Sequence, residues 1–365
     1  MKKITFFFAT SGHSGVDKVM RVLVPTIAEL GYEVDLLQIK GHGPYFLEEE
    51  LQGVNRIEFP TSHVYSSIFH LVRYLKQSKP DAMLSDKDRV NRTVILASWL
   101  SGSKTSLNVR IGTEPSSMLL NRDKLQQWVQ TFSFRKLYKR ANQVLVPSLS
   151  NKNDFTQNFG LDTKQVSVVA SPVLNKSFYE RKNAPLEHPW FRDGELPVIL
   201  GVGELSLRKD FASMIRAFAI AREQIPCRLV ILGRGKQLEP LQQLARDLKV
   251  SEYVEFTGFV DNPLKYLNHA AVFCLCSHLE GMPVSLIEAL GCGCTSVATD
   301  GAGGSKELLN NNGVGHVVKV GDEKSIADGL LKALRHPDPV EALRLAAEPY
   351  DAVASARAYL KAMGL

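Results

Sequence analysis

Two glutamates, Glu280 and Glu288, stand eight residues apart around Gly281-Met282-Pro283-Val284-Ser285. The run before them, Ala271 to Ser277, is apolar and ends as a strand would, and Pro283 suits the first turn of a following helix. A helix that starts there directs its leading N–H groups and its positive dipole end at the same spot, which makes a seat for a diphosphate. The two carboxylates bracket that seat. A pair of glutamates at this spacing is by itself more often a solvated helix face, so the neighbours decide. Upstream lie Gly201-Val202-Gly203-Glu204-Leu205 and, directly after, Arg208-Lys209-Asp210-Phe211. Glycine pairs end many strands without binding anything, but here a basic turn follows at once.

The rest of the chain supplies elements to hold these residues. Short apolar runs alternate with amphipathic helical stretches, the pattern of parallel sheets wrapped by helices. The first half reads as strands at 4–8, 34–39, 82–84, 106–111, 144–147 and 166–169. Val19, Leu23, Ile27 and Leu30 fall at helical spacing before Gly31 stops their helix. The second half restarts with strands at 198–202, 228–232, 254–257, 272–276, 296–298 and 316–320. Between them a polar segment with Pro185 and Pro189 interrupts the alternation. The expectation is therefore an α/β protein of two Rossmann-like, doubly wound parallel-sheet domains facing across a cleft. They are placed at 1–172 and 197–340, joined by a linker at 173–196, with C-terminal helices at 341–365 of which the last crosses back to the first domain.

With the elements in place, the chemical segment resembles the Glu-x7-Glu motif of the retaining GT-B glycosyltransferases of family four, the glycosyl transferases group 1. Ile231-Leu232-Gly233-Arg234-Gly235, Phe256-Thr257-Gly258-Phe259-Val260 and Val297-Ala298-Thr299-Asp300 with Gly303, Gly304 and Glu307 resemble further landmarks of that family. In the first half Gly12-His13-Ser14-Gly15 after the first strand and Gly31-Tyr32-Glu33-Val34 fit more loosely. The resemblance covers nearly the whole chain, and its specific part is 197–310.

This resemblance implies a hexose or N-acetylhexosamine moved from a nucleotide diphosphate sugar, a UDP-sugar, to a hydroxyl of a glycan or lipid-linked acceptor, in cell-surface polysaccharide synthesis. Glu280 and Lys209 would act at the reacting end, Glu280 on donor-sugar hydroxyls and Lys209 on the diphosphate, where a fixed cation stabilises leaving-group charge without a metal or other cofactor. Glu288 would grip the ribose. Arg208, Gly281, Met282, Pro283, Val284, Ser285, Gly203 and Gly233 complete the expected donor site, and Gly12, His13 and Gly15 form a glycine-rich loop in the first domain. Three departures stand out: Glu204 where the family often has arginine, Thr295 for a common proline, and no histidine near Val109-Arg110-Ile111-Gly112-Thr113-Glu114. Arg110 or Glu114 is then the alternative that faces the acceptor. The departure at Glu204 also motivates the competing reading of a catalytically silent nucleotide-sugar-binding scaffold. A nicotinamide dehydrogenase is disfavoured, because no G-x-G-x-x-G follows the first strand.

Composition narrows the setting. Hydrophobic residues at 44% and charged residues at 22% are those of a folded globular chain, which excludes disorder and collagen-like sequence. The apolar start Ile4 to Phe8 runs into Gly12 rather than a cleavage site, and no stretch reaches the ~18 apolar residues of a membrane span, so a cytoplasmic protein is expected. Four of the five cysteines form two C-x-C pairs, Cys274 with Cys276 and Cys292 with Cys294, without zinc spacing, and the cysteines read as reduced thiols packed as small hydrophobes. The net charge of +6 is uneven: residues 1–175 hold 22 Lys/Arg and 15 Asp/Glu, a surplus of +7 that leaves −1 for the remainder. An anionic membrane surface or phosphate-bearing acceptor fits that surplus, and no nucleic-acid motif is present. The stretch Asp123 to Arg140 sets Leu125, Trp128, Val129 and Phe132 on one side and Arg135, Lys136, Lys139 and Arg140 near its end. Its apolar side is expected to pack on the first domain, with a peripheral position on an anionic membrane as the alternative.

Overall fold

The protein is described by a computed structural model that covers every residue except His13, Ser14, Leu47, Leu120, Asn121, Leu279, Gly281 and Ala302, with only the backbone of Glu49 and Gly303. The chain divides into two compact units. Unit 1 comprises Met1–Val173 and Tyr350–Leu365, and unit 2 comprises Leu174–Pro349.

In unit 1 the described strands are β1 (Lys3–Phe7), β2 (Glu33–Ile39), β3 (Val54–Phe59), β4 (Ala82–Asp86), β5 (Ser106–Arg110), β6 (Gln143–Val146) and β7 (Val166–Val168). They form one parallel sheet in the order β3-β2-β1-β4-β5-β6-β7. Side chains alternate across the sheet, so Phe6 and Phe8 enter one core with Val19, Leu23 and Ile27 of the helix Gly15–Glu29, while Phe7 enters the core on the other face. The helix stops at Gly31, whose φ of +88° suits a residue without Cβ. The helix Ala352–Ala362 also belongs to unit 1, and its Ala356, Tyr359 and Leu360 join the Phe6 core.

Unit 2 repeats the plan with β8 (Val198–Val202), β9 (Arg228–Leu232), β10 (Val254–Gly258), β11 (Val272–Leu275), β12 (Thr295–Thr299) and β13 (His316–Val318). These strands run parallel in the order β10-β9-β8-β11-β12-β13. Ile199, Leu229 and Ile231 pack with Ile215 and Phe218 of the helix Phe211–Arg222 and with Ile326 and Leu330 of the helix Glu323–Arg335. Residues 174–196, read from sequence as linker, pack with unit 2. They contain the helix Lys176–Lys182, and Leu174 and Phe178 lie so close to Gly291 that a Cβ there would come within 2.9 Å of both. All five cysteines are buried and free. The Cys292 and Cys294 thiols donate to the carbonyls of Leu264 and Ala270, and burial pushes Cys292 up to about 12 and Cys227 up to about 11.

Two expectations change. β3 is an edge strand whose Asn55, Arg56 and Glu58 are exposed, so it lacks the apolar run that marks a strand covered on both faces. The stretch from Asp123 begins as the helix Lys124–Phe132, capped by Asp123 accepting from the Gln126 N–H at 2.8 Å, then widens into a π-turn at Ser133–Leu137 and tightens at Tyr138–Arg140. Of its apolar side only Val129 is half-buried. Leu125, Trp128 and Phe132 are exposed, while Gln130, Ser133, Phe134 and Tyr138 are buried. Phe134, in the π-turn, and Tyr138, directly after it, fill the core against Phe155.

Candidate functional site

In unit 2 the chain leaves β8 toward β9 on one side, and later fills β11 on the other side of β8. The strand order reverses between β8 and β11, which opens a crevice at their carboxyl ends, the usual ligand position in such sheets. The chemical residues of the sequence fall in the loops at this point.

Backbone packing holds the first loop. Gly203 N–H donates to Leu232 O at 3.0 Å, Leu205 N–H to Arg234 O at 2.9 Å, and Gly233 N–H to Gly258 O at 2.8 Å, so the loops after β8, β9 and β10 are laced side by side. A Cβ on Gly233 would stand 1.8 Å from Gly203 O, and one on Gly235 would stand 2.2 Å from Leu205 O. Those two positions admit only glycine. Gly201 has a different role, leaving room for Phe211 and Met214 where the following helix crosses β8.

The same loop carries the cations. Leu207–Lys209 forms one tight turn, and Asp210, at φ 47°, caps the helix Phe211–Arg222 by accepting from Ser213 N–H at 3.2 Å. Lys209 Nζ lies 2.5 Å and Arg208 Nη1 2.8 Å from one oxygen, Glu280 Oε1. Lys209 and Glu280 are largely buried, whereas Arg208 is half exposed. Two cations thus converge on one carboxylate oxygen, one of them largely buried and the other at the rim. His278 N–H donates to Arg208 O at 2.9 Å, and its Nε2 lies 3.3 Å from Asp210, which ties the loop after β11 to the turn after β8. Sequence reasoning gave Asp210 and His278 no role. An aspartate directly before a helical run is a capping signal that was there to be used.

Beyond Glu280 the chain passes Met282 and enters the helix Val284–Cys292 with Pro283 at its cap. Leu286, Ile287, Ala289 and Leu290 are buried, leaving Val284, Ser285 and Glu288 as a half-exposed stripe. Val284 and Ser285 N–H precede the first bonds of the helix, which Leu286 and Ile287 N–H make to Pro283 O. Glu288 lies in the second turn of that stripe. Gly281 lies outside the described residues.

The other expected residues sit in unit 1. Gly12, at φ +87°, closes against Tyr45, whose ring a Cβ would meet at 2.2 Å, and Gly15 opens the helix Gly15–Glu29. His13 lies outside the described residues. Arg110, one of the two alternatives for an acceptor contact, is buried: Nε donates to Tyr359 Oη at 2.8 Å, Nη2 to Ser171 Oγ at 2.8 Å, and Nη1 to Asp86. That arginine is occupied. Glu114 accepts from Ser117 and Ser150.

A family model described as glycosyl transferases group 1 matches residues 186–348. The Campylobacter jejuni N-acetylgalactosamine-N,N'-diacetylbacillosaminyl-diphospho-undecaprenol 4-alpha-N-acetylgalactosaminyltransferase is 30% identical over 336 residues, 90% of this chain and 89% of that protein. The chain belongs to the group 1 glycosyltransferases. A second Campylobacter jejuni relative, GalNAc-alpha-(1->4)-GalNAc-alpha-(1->3)-diNAcBac-PP-undecaprenol alpha-1,4-N-acetyl-D-galactosaminyltransferase, is 26% identical over 346 residues, 90% of this chain and 88% of that one. Among solved structures, the Anabaena protein HepE in complex with UDP superposes with a TM-score of 0.81 at 16% identity, over 100% of both chains. The two parallel-sheet units are those of the GT-B glycosyltransferases. Against the family's habits, Glu204 is exposed, and Thr295 uses its hydroxyl to accept from Asp338 N–H at 2.9 Å.

Proposed function

We infer that this glycosyltransferase moves a hexose or N-acetylhexosamine from a UDP-sugar to a hydroxyl of a lipid-linked glycan, with retention of anomeric configuration and without a metal. The observation that carries the reading is the convergence of Lys209 and Arg208 on Glu280 beside the N-terminus of the helix Val284–Cys292. Two cations next to a helix N-terminus suit a diphosphate, and charge on that group grows as the bond to the sugar breaks. Lys209 then stabilises the leaving diphosphate, Arg208 assists from the rim, and Glu280 orients the sugar while holding Lys209 in place. Glu288 takes the ribose hydroxyls. The bond from the anomeric carbon to the diphosphate oxygen breaks as the acceptor oxygen bonds on the same face, and the acceptor proton passes to the departing phosphate oxygen. The two Campylobacter relatives named for undecaprenol-linked substrates, and the complex of HepE with UDP, support the choice of acceptor and donor class.

The experiment is a panel of nucleotide sugars scored first by thermal stabilisation of the purified protein and then by transfer to undecaprenyl-diphosphate glycans in the presence of a chelator. The expected result is stabilisation by UDP-sugars and chelator-resistant turnover, with the product in the donor's anomeric configuration. Stabilisation without transfer or hydrolysis would leave a nucleotide-sugar scaffold instead. Loss of turnover in chelator that magnesium or manganese restores would remove the metal-free assignment.

A further inference from the structure

The helix Lys124–Phe132 is turned with its wetter side inward. Gln130 and Ser133 are buried at 3% and 0% exposure, and among the described residues their side-chain polar atoms have no hydrogen-bond partner. On the opposite side Leu125, Trp128 and Phe132, at positions i, i+3 and i+7, are 71%, 65% and 49% exposed. Trp128 and Phe132 stack at 5.8 Å and so form one apolar ridge. Leaving such a ridge in water while burying an amide is costly to a free protein, and it marks a face that meets something apolar.

The charges around the ridge indicate what that is. Between Arg122 and Arg140 the sequence holds six Lys/Arg and one carboxylate, Asp123, which is engaged as the helix cap. Arg135, Lys136, Lys139 and Arg140 are exposed on the turns that continue the helix. Arg140 lies over the ring of Trp99 at 5.3 Å, and Trp99 and Leu100 are themselves exposed at 62% and 53%. The surface is thus an aromatic ridge, a basic stretch and a second aromatic step. Indole rings and long basic side chains together suit a bilayer interface, where the rings enter the headgroup boundary and the cations meet lipid phosphates.

We propose that this face of unit 1, built on Trp128, Phe132, Trp99 and the cations Arg135, Lys136, Lys139 and Arg140, docks the enzyme on an anionic lipid bilayer. The inference deepens the lipid-linked-acceptor reading and rests on it only for its purpose; the docking itself needs neither donor nor acceptor.

Vesicle flotation without substrates tests it, using phosphatidylcholine alone and phosphatidylcholine mixed with phosphatidylglycerol. The full chain binds the anionic vesicles and dissociates as salt rises. Trp128→Ser with Phe132→Ser weakens that binding by about tenfold or more. Neutralising Arg135, Lys136, Lys139 and Arg140 to glutamine costs about fivefold per charge, roughly 600-fold together, and abolishes the preference for anionic lipid. Unfolding temperatures equal to that of the parent chain confirm that the variants remain folded. Equal recovery of the parent chain on neutral and anionic vesicles, or variants that float like the parent, overturns the proposal. So does self-association that Trp128→Ser abolishes without any vesicle binding, which assigns the face to a second copy. If vesicle binding holds and a water-soluble glycan is used as efficiently as a lipid-linked one, the docking stands and the acceptor reading fails.

Discussion

Both units place a basic side chain against a carboxylate at the carboxyl end of their central strands, with opposite outcomes. In unit 1 Arg110 and Asp86 are 4% and 1% exposed, and Tyr359 and Ser171 take the remaining faces of the guanidinium, so its donors are spent on protein. In unit 2 Lys209 and Arg208 share a single carboxylate oxygen, and Arg208 remains 48% exposed. The ingredients are the same. A saturated, buried pair is architecture, whereas a cluster with one cation at an accessible edge is placed to meet an anion.

The sharpest way to break this comparison is to remove one cation from each unit. Arg110→Ala strands a buried carboxylate and is expected to lower stability by about 3 to 5 kcal/mol, read from denaturant unfolding. Lys209→Ala is expected to leave unfolding near the parent value and to lower turnover by about 100- to 1,000-fold. If instead Lys209→Ala unfolded as readily as Arg110→Ala while keeping its turnover, both pairs would be architecture.

Within unit 2 the two glutamates sharpen the comparison further. Losing a charged hydrogen-bond partner costs ~1.5 to 3 kcal/mol, roughly 10- to 150-fold, but in different steps. Glu288→Ala should mainly weaken UDP binding. Glu280→Ala should lower kcat more than it weakens UDP, since the proposed contact of Glu280 is to the group being transferred. Calorimetry of UDP beside kcat at saturating donor separates them, and equal loss of UDP affinity with normal kcat in Glu280→Ala would reverse the roles. Arg208→Ala should have the smallest effect, about fivefold or less in kcat/KM, since solvent already screens its half-exposed pair. A loss as large as that of Lys209→Ala would move the principal cation to the rim.

The parts of the molecule that the sequence displays are those with a strict local cause. Strands buried on both faces, such as Val198–Val202 and Arg228–Leu232 beyond its half-buried first residue, must be apolar, and glycines such as Gly233 must be glycine because a neighbouring carbonyl occupies the place of a Cβ. The exposed edge strand Val54–Phe59 has no such constraint and went unseen. The helix Lys124–Phe132 shows another limit. Periodicity reveals that one side is apolar, but not which side the domain covers. At the site, motif resemblance picked out Lys209 and Glu280 separately. Their mutual contact depends on two loops whose strands are some seventy residues apart in the chain, as the separation of 71 between the paired residues records.

The place of Tyr359 carries a consequence for biogenesis. Unit 1 is assembled from both ends of the described chain, and the hydroxyl that satisfies Arg110 is translated only after all of unit 2. On the ribosome, therefore, the half made first cannot finish first: its polar network stays open while unit 2 emerges and folds. A premature stop codon between unit 2 and Tyr359 would do its harm upstream, spoiling the half that had already been synthesised while leaving the later half with its core complete.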